Sequence, residues 1–176
     1  DFIVAGQLAS AAAVVKFQGG NRQEIWSRPY DSPAPDRLYR LAFDGSGHIF
    51  ASGAGGDGYL YAKLDAVTGA FQWSRTHAEP SGSTLALAMG VGNSLLIAGS
   101  NYYGGVAGDF VLLNVRQDTG ATTWRATEGD MTGLPESLRC EQSSSDAGSN
   151  SLITENGDVV VAGCQEIGST RQLSVT

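Results

Sequence analysis

Lysine is scarce in this sequence: of its 11 basic residues only Lys16 and Lys63 are lysines, against 18 aspartates and glutamates. A formal charge of −7 and a pI near 4.6 offer no positive footprint for a phosphate backbone, which sets nucleic acid aside as a partner. Long apolar runs are missing as well. The nearest thing to one, Leu8 to Val15, is short and rich in small residues, far from the roughly 18 residues that a membrane span needs. No signal peptide is visible. Helical periodicity is absent too, since no window repeats apolar residues at i, i+3, i+4 and i+7 for three turns. Nor does the chain contain an N-x-[ST] glycosylation site.

Cysteine is limited to Cys140 and Cys164, on either side of one strand-like unit. With two well-separated histidines they fall short of a tetrahedral zinc site. Two readings remain, a pair of unrelated buried thiols or a disulfide. The disulfide is favoured because Cys140 sits in a polar insertion with little else to hold it. Closing that loop would stabilise by about 3.5 kcal/mol in the chain-entropy model. It would also imply an oxidising compartment: extracellular, cell surface or periplasmic.

What the sequence does have is glycine, 24 residues against 5 prolines, and 41% hydrophobic residues. Such a composition fits many turns between short buried strands. The stretch Tyr59–Arg75, YLYAKLDAVTGAFQWSR, has close relatives on both sides. Trp26, Trp73 and Trp124 each end a short apolar run, spaced 73 − 26 = 47 and 124 − 73 = 51. Eleven residues before them lie Val15-Lys16-Phe17, Ala62-Lys63-Leu64 and Leu113-Asn114-Val115. Further upstream, strands end at Gly6, Gly53, Gly99 and Gly163, spaced 47, 46 and 64. A period of this size built from short strands is the mark of a β-propeller, an all-β fold of four-stranded antiparallel blades.

With the strands of each repeat named a, b, c and d, the chain starts at b, runs two full cycles and stops at c. Residues 1–31 make a partial first repeat, 38–77 the second, 85–128 the third and 151–176 a partial fourth. Residues 129–150 form an inserted loop, acidic and serine-rich. About 3.5 repeats are therefore expected. The next tryptophan would fall near 173 + 11 = 184, and Asp1 stands in mid-strand, so we expect a segment of a larger ring.

Ala62-Lys63-Leu64-Asp65 with Trp73 resembles the bacterial seven-bladed-propeller-type repeat called SBBP. The turn Asp65-Ala66-Val67-Thr68-Gly69 followed by Trp73 is similar to the D-x-x-T-G-x-x-x-W motif of quinoprotein (PQQ-type) propellers. Asp118-Thr119-Gly120 and Trp124 keep part of it, while Trp26 follows Asn21-Arg22 and lacks it. The resemblance implies tryptophans packed between neighbouring blades, each burial contributing on the order of 4–6 kcal/mol as an upper value. It covers the chain at repeat level and says nothing specific of function. The sequence has no adjacent cysteine pair and no clear calcium-binding group of the quinone site, so no cofactor is expected.

Candidate chemistry is thin. Gly53-Ala54-Gly55-Gly56-Asp57-Gly58 matches G-x-G-x-x-G, but a dinucleotide site needs a helix after it and here a strand follows. His48 and His77 fall at different depths of their repeats, and no nucleophile elbow occurs. Asp44, Asp57, Asp109 and Asp118 stand at turns, where carboxylates cap backbone amides. Calcium held by loops of different blades is the alternative reading of these four. Asn101-Tyr102-Tyr103-Gly104-Gly105, in the longest b–c loop, is the best recognition candidate. Two tyrosines on a glycine-rich loop can meet a protein or stack on sugar, or fold back over the blade edge. The expected function is thus a non-catalytic interaction or scaffolding module in a larger assembly. The alternatives are a carbohydrate-binding propeller or a piece of a propeller enzyme whose catalytic residues lie elsewhere.

Overall fold

A computed structural model describes residues 1–30, 36–56, 58–79, 82–103, 106–127, 150–153, 159–167 and 170–175. Fourteen strands account for most of them, and no helix occurs among the described residues. They form four antiparallel sheets, which we call blades 1 to 4. Blade 1 contains β1 (Phe2–Leu8), β2 (Ala11–Phe17) and β3 (Glu24–Tyr30). Blade 2 contains β4 (Arg37–Phe43), β5 (His48–Gly55), β6 (Gly58–Asp65) and β7 (Phe71–Ala78). Blade 3 contains β8 (Ser83–Met89), β9 (Ser94–Tyr103), β10 (Val106–Arg116) and β11 (Thr122–Thr127). Blade 4 contains β12 (Asn150–Ile153), β13 (Val159–Ile167) and β14 (Thr170–Val175).

Each blade runs in sequence order across its sheet, so β4 and β8 are edge strands of type a. β4 touches β1 and β8, and β8 touches β12, which lines the first strands of the blades along one side of the array. Antiparallel succession puts every b–c and d–a connection at one rim, the upper, and every a–b and c–d turn at the lower rim. The strand layout follows the sequence expectation with local shifts. β8 starts at Ser83, two residues before the expected Leu85, and ends at Met89, where Gly90 N–H bonds to the Ser94 carbonyl (2.7 Å) and begins the turn.

The core lies between blades. Alternation along β6 sends Leu60, Ala62 and Leu64 toward blade 1, where they meet Ala12, Val14 and Trp26. Tyr59 and Tyr61 point the other way, into a cluster with Phe50, Trp73, Leu95, Ile97, Val111 and Leu113. Both faces of the middle strands are therefore covered, which explains their near-continuous apolar sequence.

The tryptophans make these interfaces in a way that the repeat motif disguises. Gly69 (φ 73°) closes the c–d turn of blade 2, and a Cβ there would stand 2.7 Å from the Trp26 ring. Gly120 (φ 71°) does the same in blade 3, where a Cβ would stand 2.8 Å from the Trp73 ring. Each indole thus lies on the glycine turn of the following blade, although T-G-x-x-x-W reads as one unit. Trp73 Nε1 donates to the Gln117 carbonyl (3.0 Å) in that turn. At the first interface the corresponding Ala66 carbonyl accepts from Lys16 Nζ (3.0 Å). Trp26 Nε1 is consequently buried without a hydrogen-bond partner among the described residues.

The three rings are not alike. Trp26 and Trp73 are 6% and 8% exposed, but Trp124 is 42% exposed. Trp124 lies on no glycine turn among the described residues. The turn of blade 1 also departs from the pattern. Arg22 N–H bonds to the Gln18 carbonyl as Gly69 bonds to Asp65, so Arg22 takes the glycine position, at φ 60°.

Candidate functional site

The upper rim gathers what the sequence offered for recognition. β5 and β6 are 8 residues each, whereas β9 and β10 are 10 and 11. The extra length is paired, Tyr103 with Val106 and Tyr102 with Ala107, above an irregularity between Ala107 and Phe110. Tyr102 and Tyr103 therefore end a strand of a projecting hairpin rather than sitting in a long loop. β11 ends and β12 begins at the same rim. Most of the insertion between them, with Cys140, lies outside the described residues, as does Asp57; Cys164 is on β13.

Below that hairpin a polar cluster joins blades 2 and 3. Glu79, buried just after β7, is ion-paired with Arg125 Nε of β11, and His77 Nε2 stands 3.6 Å from the same carboxylate. Tyr59, fully buried in β6, is the third member of the cluster. Burial, then the Glu79 charge, pushes its phenol well above the usual tyrosine range. Tyr59 Oη has no hydrogen-bond partner among the described residues. Ser52 and Thr84 add a buried hydroxyl pair at 3.1 Å. With Glu79 held by a guanidinium and an imidazole, this cluster is a neutralised clamp between blades. Sequence reasoning missed it, since Glu79 and Arg125 are 46 residues apart and belong to no motif.

At the inner end of the first junction Asp36 is buried. Its Oδ1 accepts from the Gly56 N–H (3.3 Å), and Oδ2 has no partner among the described residues.

The remaining sequence candidates are dispersed. His48 sits at the lower rim, its Nδ1 2.5 Å from Asp44 Oδ2, and His77 at the upper, so the two do not meet. Asp44 Oδ1 also accepts from the Ser46 and His48 N–H groups (2.7 and 3.0 Å). Burial raises its pKa, but these bonds outweigh burial and hold the carboxyl below its ordinary value. Asp118, in the lower c–d turn of blade 3, is bidentate with Arg116, which lowers its pKa strongly. Asp65 is likewise lowered, by hydrogen bonds from Thr68 and Val67. Asp109 lies within β10 rather than at a turn. No group of three or more His, Cys, Asp or Glu is placed to hold a metal among the described residues. The G-x-G-x-x-G segment runs from β5 into β6, strand to strand, without the helix a pyrophosphate requires.

A solved structure described as the Dos1 propeller superposes on 93% of this chain with a TM-score of 0.56 at 10% identity. The fold is that of a β-propeller. This chain spans 40% of the length of that propeller. No protein-family model matches the sequence, and no curated protein does. Among the described residues no helix is long and apolar enough to cross a membrane.

Proposed function

We propose that this chain is a non-catalytic propeller module, with SBBP-type repeats, that binds a protein partner through its upper rim as part of a larger extracellular or periplasmic assembly. The observation that carries this reading is the β9–β10 hairpin, extended beyond the blade and ending at Tyr102 and Tyr103. A hydrogen-bonded arm presents side chains with little ordering cost on binding, and tyrosine supplies both apolar area and a polar tip. The Glu79–Arg125 and Ser52–Thr84 pairs beneath the arm join blades 2 and 3, which leaves recognition to the rim itself. On this reading Cys140 and Cys164 form a disulfide that ties the insertion to blade 4, beside the arm.

The test is site-specific photocrosslinking. A photoreactive residue replaces Tyr102, or Val67 in the exposed lower turn, and the protein is exposed to extracts of its source. Adducts of a discrete protein from position 102, absent from position 67 and reproduced with that protein purified, are expected. Equal adducts from both rims would overturn the reading. Glycan binding lost on Tyr102→Ala and Tyr103→Ala would replace the protein partner by carbohydrate.

A further inference from the structure

The junctions on either side of blade 2 each bury one carboxylate in the d–a connection, Asp36 at 1% exposure between blades 1 and 2 and Glu79 at 2% between blades 2 and 3. Only one of them has a counter-charge. Glu79 meets Arg125 and His77. By ladder register Arg125 stands opposite Leu113, and His77 stands opposite Tyr59. The corresponding places at the first junction are Ser74, opposite Ala62, and Tyr30, opposite Ala12. Neither side chain carries a positive charge. Nearby basic groups are engaged elsewhere, Lys16 with the Ala66 carbonyl, Arg28 with the Thr68 carbonyl and Arg37 Nε with Gln7 Oε1. Among the described residues no basic side chain is ion-paired with Asp36.

The surroundings of Asp36 make room for an ion. Its Oδ1 is fixed by the Gly56 N–H, while Oδ2 has no partner among the described residues. Gly55 does not have a positive φ, so its own backbone does not require glycine. A Cβ there would stand 2.9 Å from Asp36 Oδ1 and 3.2 Å from Leu60 Cβ. Ala12, fully buried, takes the register place that the large Tyr59 fills in blade 2. A carboxylate buried this deeply is costly unless a charged partner or a metal ion meets it.

We infer that Asp36 anchors a binding site for a calcium ion between blades 1 and 2. Oδ2 binds the ion, Oδ1 stays on the Gly56 N–H, and backbone carbonyl and water oxygens complete the shell, as a hard cation requires. No group of three or more His, Cys, Asp or Glu gathers among the described residues, which leaves no zinc-type shell of nitrogen and sulfur. Magnesium gives up its water reluctantly and suits so enclosed a carboxylate less well than calcium. The site is separate from the turn aspartates Asp44 and Asp118 at the lower rim, and it stands independently of the partner proposed at the upper one.

The test strips the 176-residue chain with EDTA and titrates it with calcium chloride. Equilibrium dialysis against radioactive calcium reads binding, and thermal unfolding reads stability. One saturable equivalent is expected, with Tm raised by about 5–10 °C at a hundredfold excess of calcium over Kd. Asp36→Asn keeps the shape and removes the charge, so it should abolish both effects and, in EDTA, melt no lower than the wild type. Gly55→Ala, which sets a Cβ against Oδ1, should weaken calcium by about tenfold or more. Asp44→Asn should bind as the unaltered chain does. Absence of saturable binding to the unaltered chain would overturn the inference whatever the variants do. So would undiminished binding by Asp36→Asn, a lower Tm for Asp36→Asn in EDTA, or loss of binding in Asp44→Asn.

Discussion

Blade 1 and blade 2 present the same face to very different surroundings. Ile49, Ala51, Leu60, Ala62 and Leu64 of blade 2 correspond, by ladder register, to Phe2, Val4, Ala13, Val15 and Phe17 of blade 1. The blade 2 set is buried against blade 1, whereas Phe2 and Val4 are 44% and 48% exposed. Phe2 and Phe17 stack on one another instead, with ring centroids 5.1 Å apart. The apolar content of a face thus belongs to the repeat, while its burial depends on the neighbouring blade. The tryptophans teach the same lesson: Trp73 has a turn to lie on, and Trp124 has none among the residues described.

The largest expected effect separates those two rings. Trp73→Ala removes a buried indole and its bond to Gln117, and should destabilise by about 3–5 kcal/mol in urea unfolding. Trp124→Ala should cost about 1 kcal/mol or less. Comparable losses would erase the distinction between the two surroundings. Next comes the acceptor turn. Gly69→Ala or Gly120→Ala adds a Cβ against an indole at positive φ and should cost about 2–4 kcal/mol. Arg22→Gly, at the same place in blade 1, should instead stabilise by about 0.5–1 kcal/mol, through relief of the left-handed backbone.

The clamp at the upper rim sharpens the contrast between the two junctions. Arg125→Ala removes the guanidinium that faces the buried Glu79 and should cost about 1–3 kcal/mol, reduced because the guanidinium is partly exposed. Thermal unfolding at constant pH would check it. Smallest is the acid dependence of the β4–β5 turn. Asp44 has a lowered folded-state pKa, so its contribution is complete above its unfolded value of 3.8 and is lost as pH falls through the folded value. The stability gap between the wild type and Asp44→Asn should therefore be constant near neutrality and shrink below pH 3.8. A gap that widens on acidification would reverse that sign.

Much of the fold was legible because its signals are local. Turn glycines and the two-sided apolar run of β10 both report on a few adjacent residues. The candidate site was legible only in part. Tyr102 and Tyr103 stood out as residues, but the hairpin beneath them depends on cross-strand pairing that composition does not show. Glu79 and Arg125 come together only when blades 2 and 3 pack. The exposure of Trp124 is a fact about its neighbours, which a repeat pattern cannot report. Arg22 was visible as a departure from the T-G motif, yet its meaning required the turn geometry that puts it at a glycine position.

The central claim is that each tryptophan seals the interface to the following blade by lying on that blade's glycine turn. Two double-mutant cycles test it most directly, one pairing Trp73→Ala with Gly120→Ala and the other pairing Trp73→Ala with Gly69→Ala, read by urea unfolding. The account predicts coupling of about 1–2 kcal/mol in the first cycle, since Gly120 loses its steric reason once the ring is gone, and additivity within about 0.5 kcal/mol in the second. Coupling confined to Gly69 and Trp73, the pair adjacent in sequence, would contradict it.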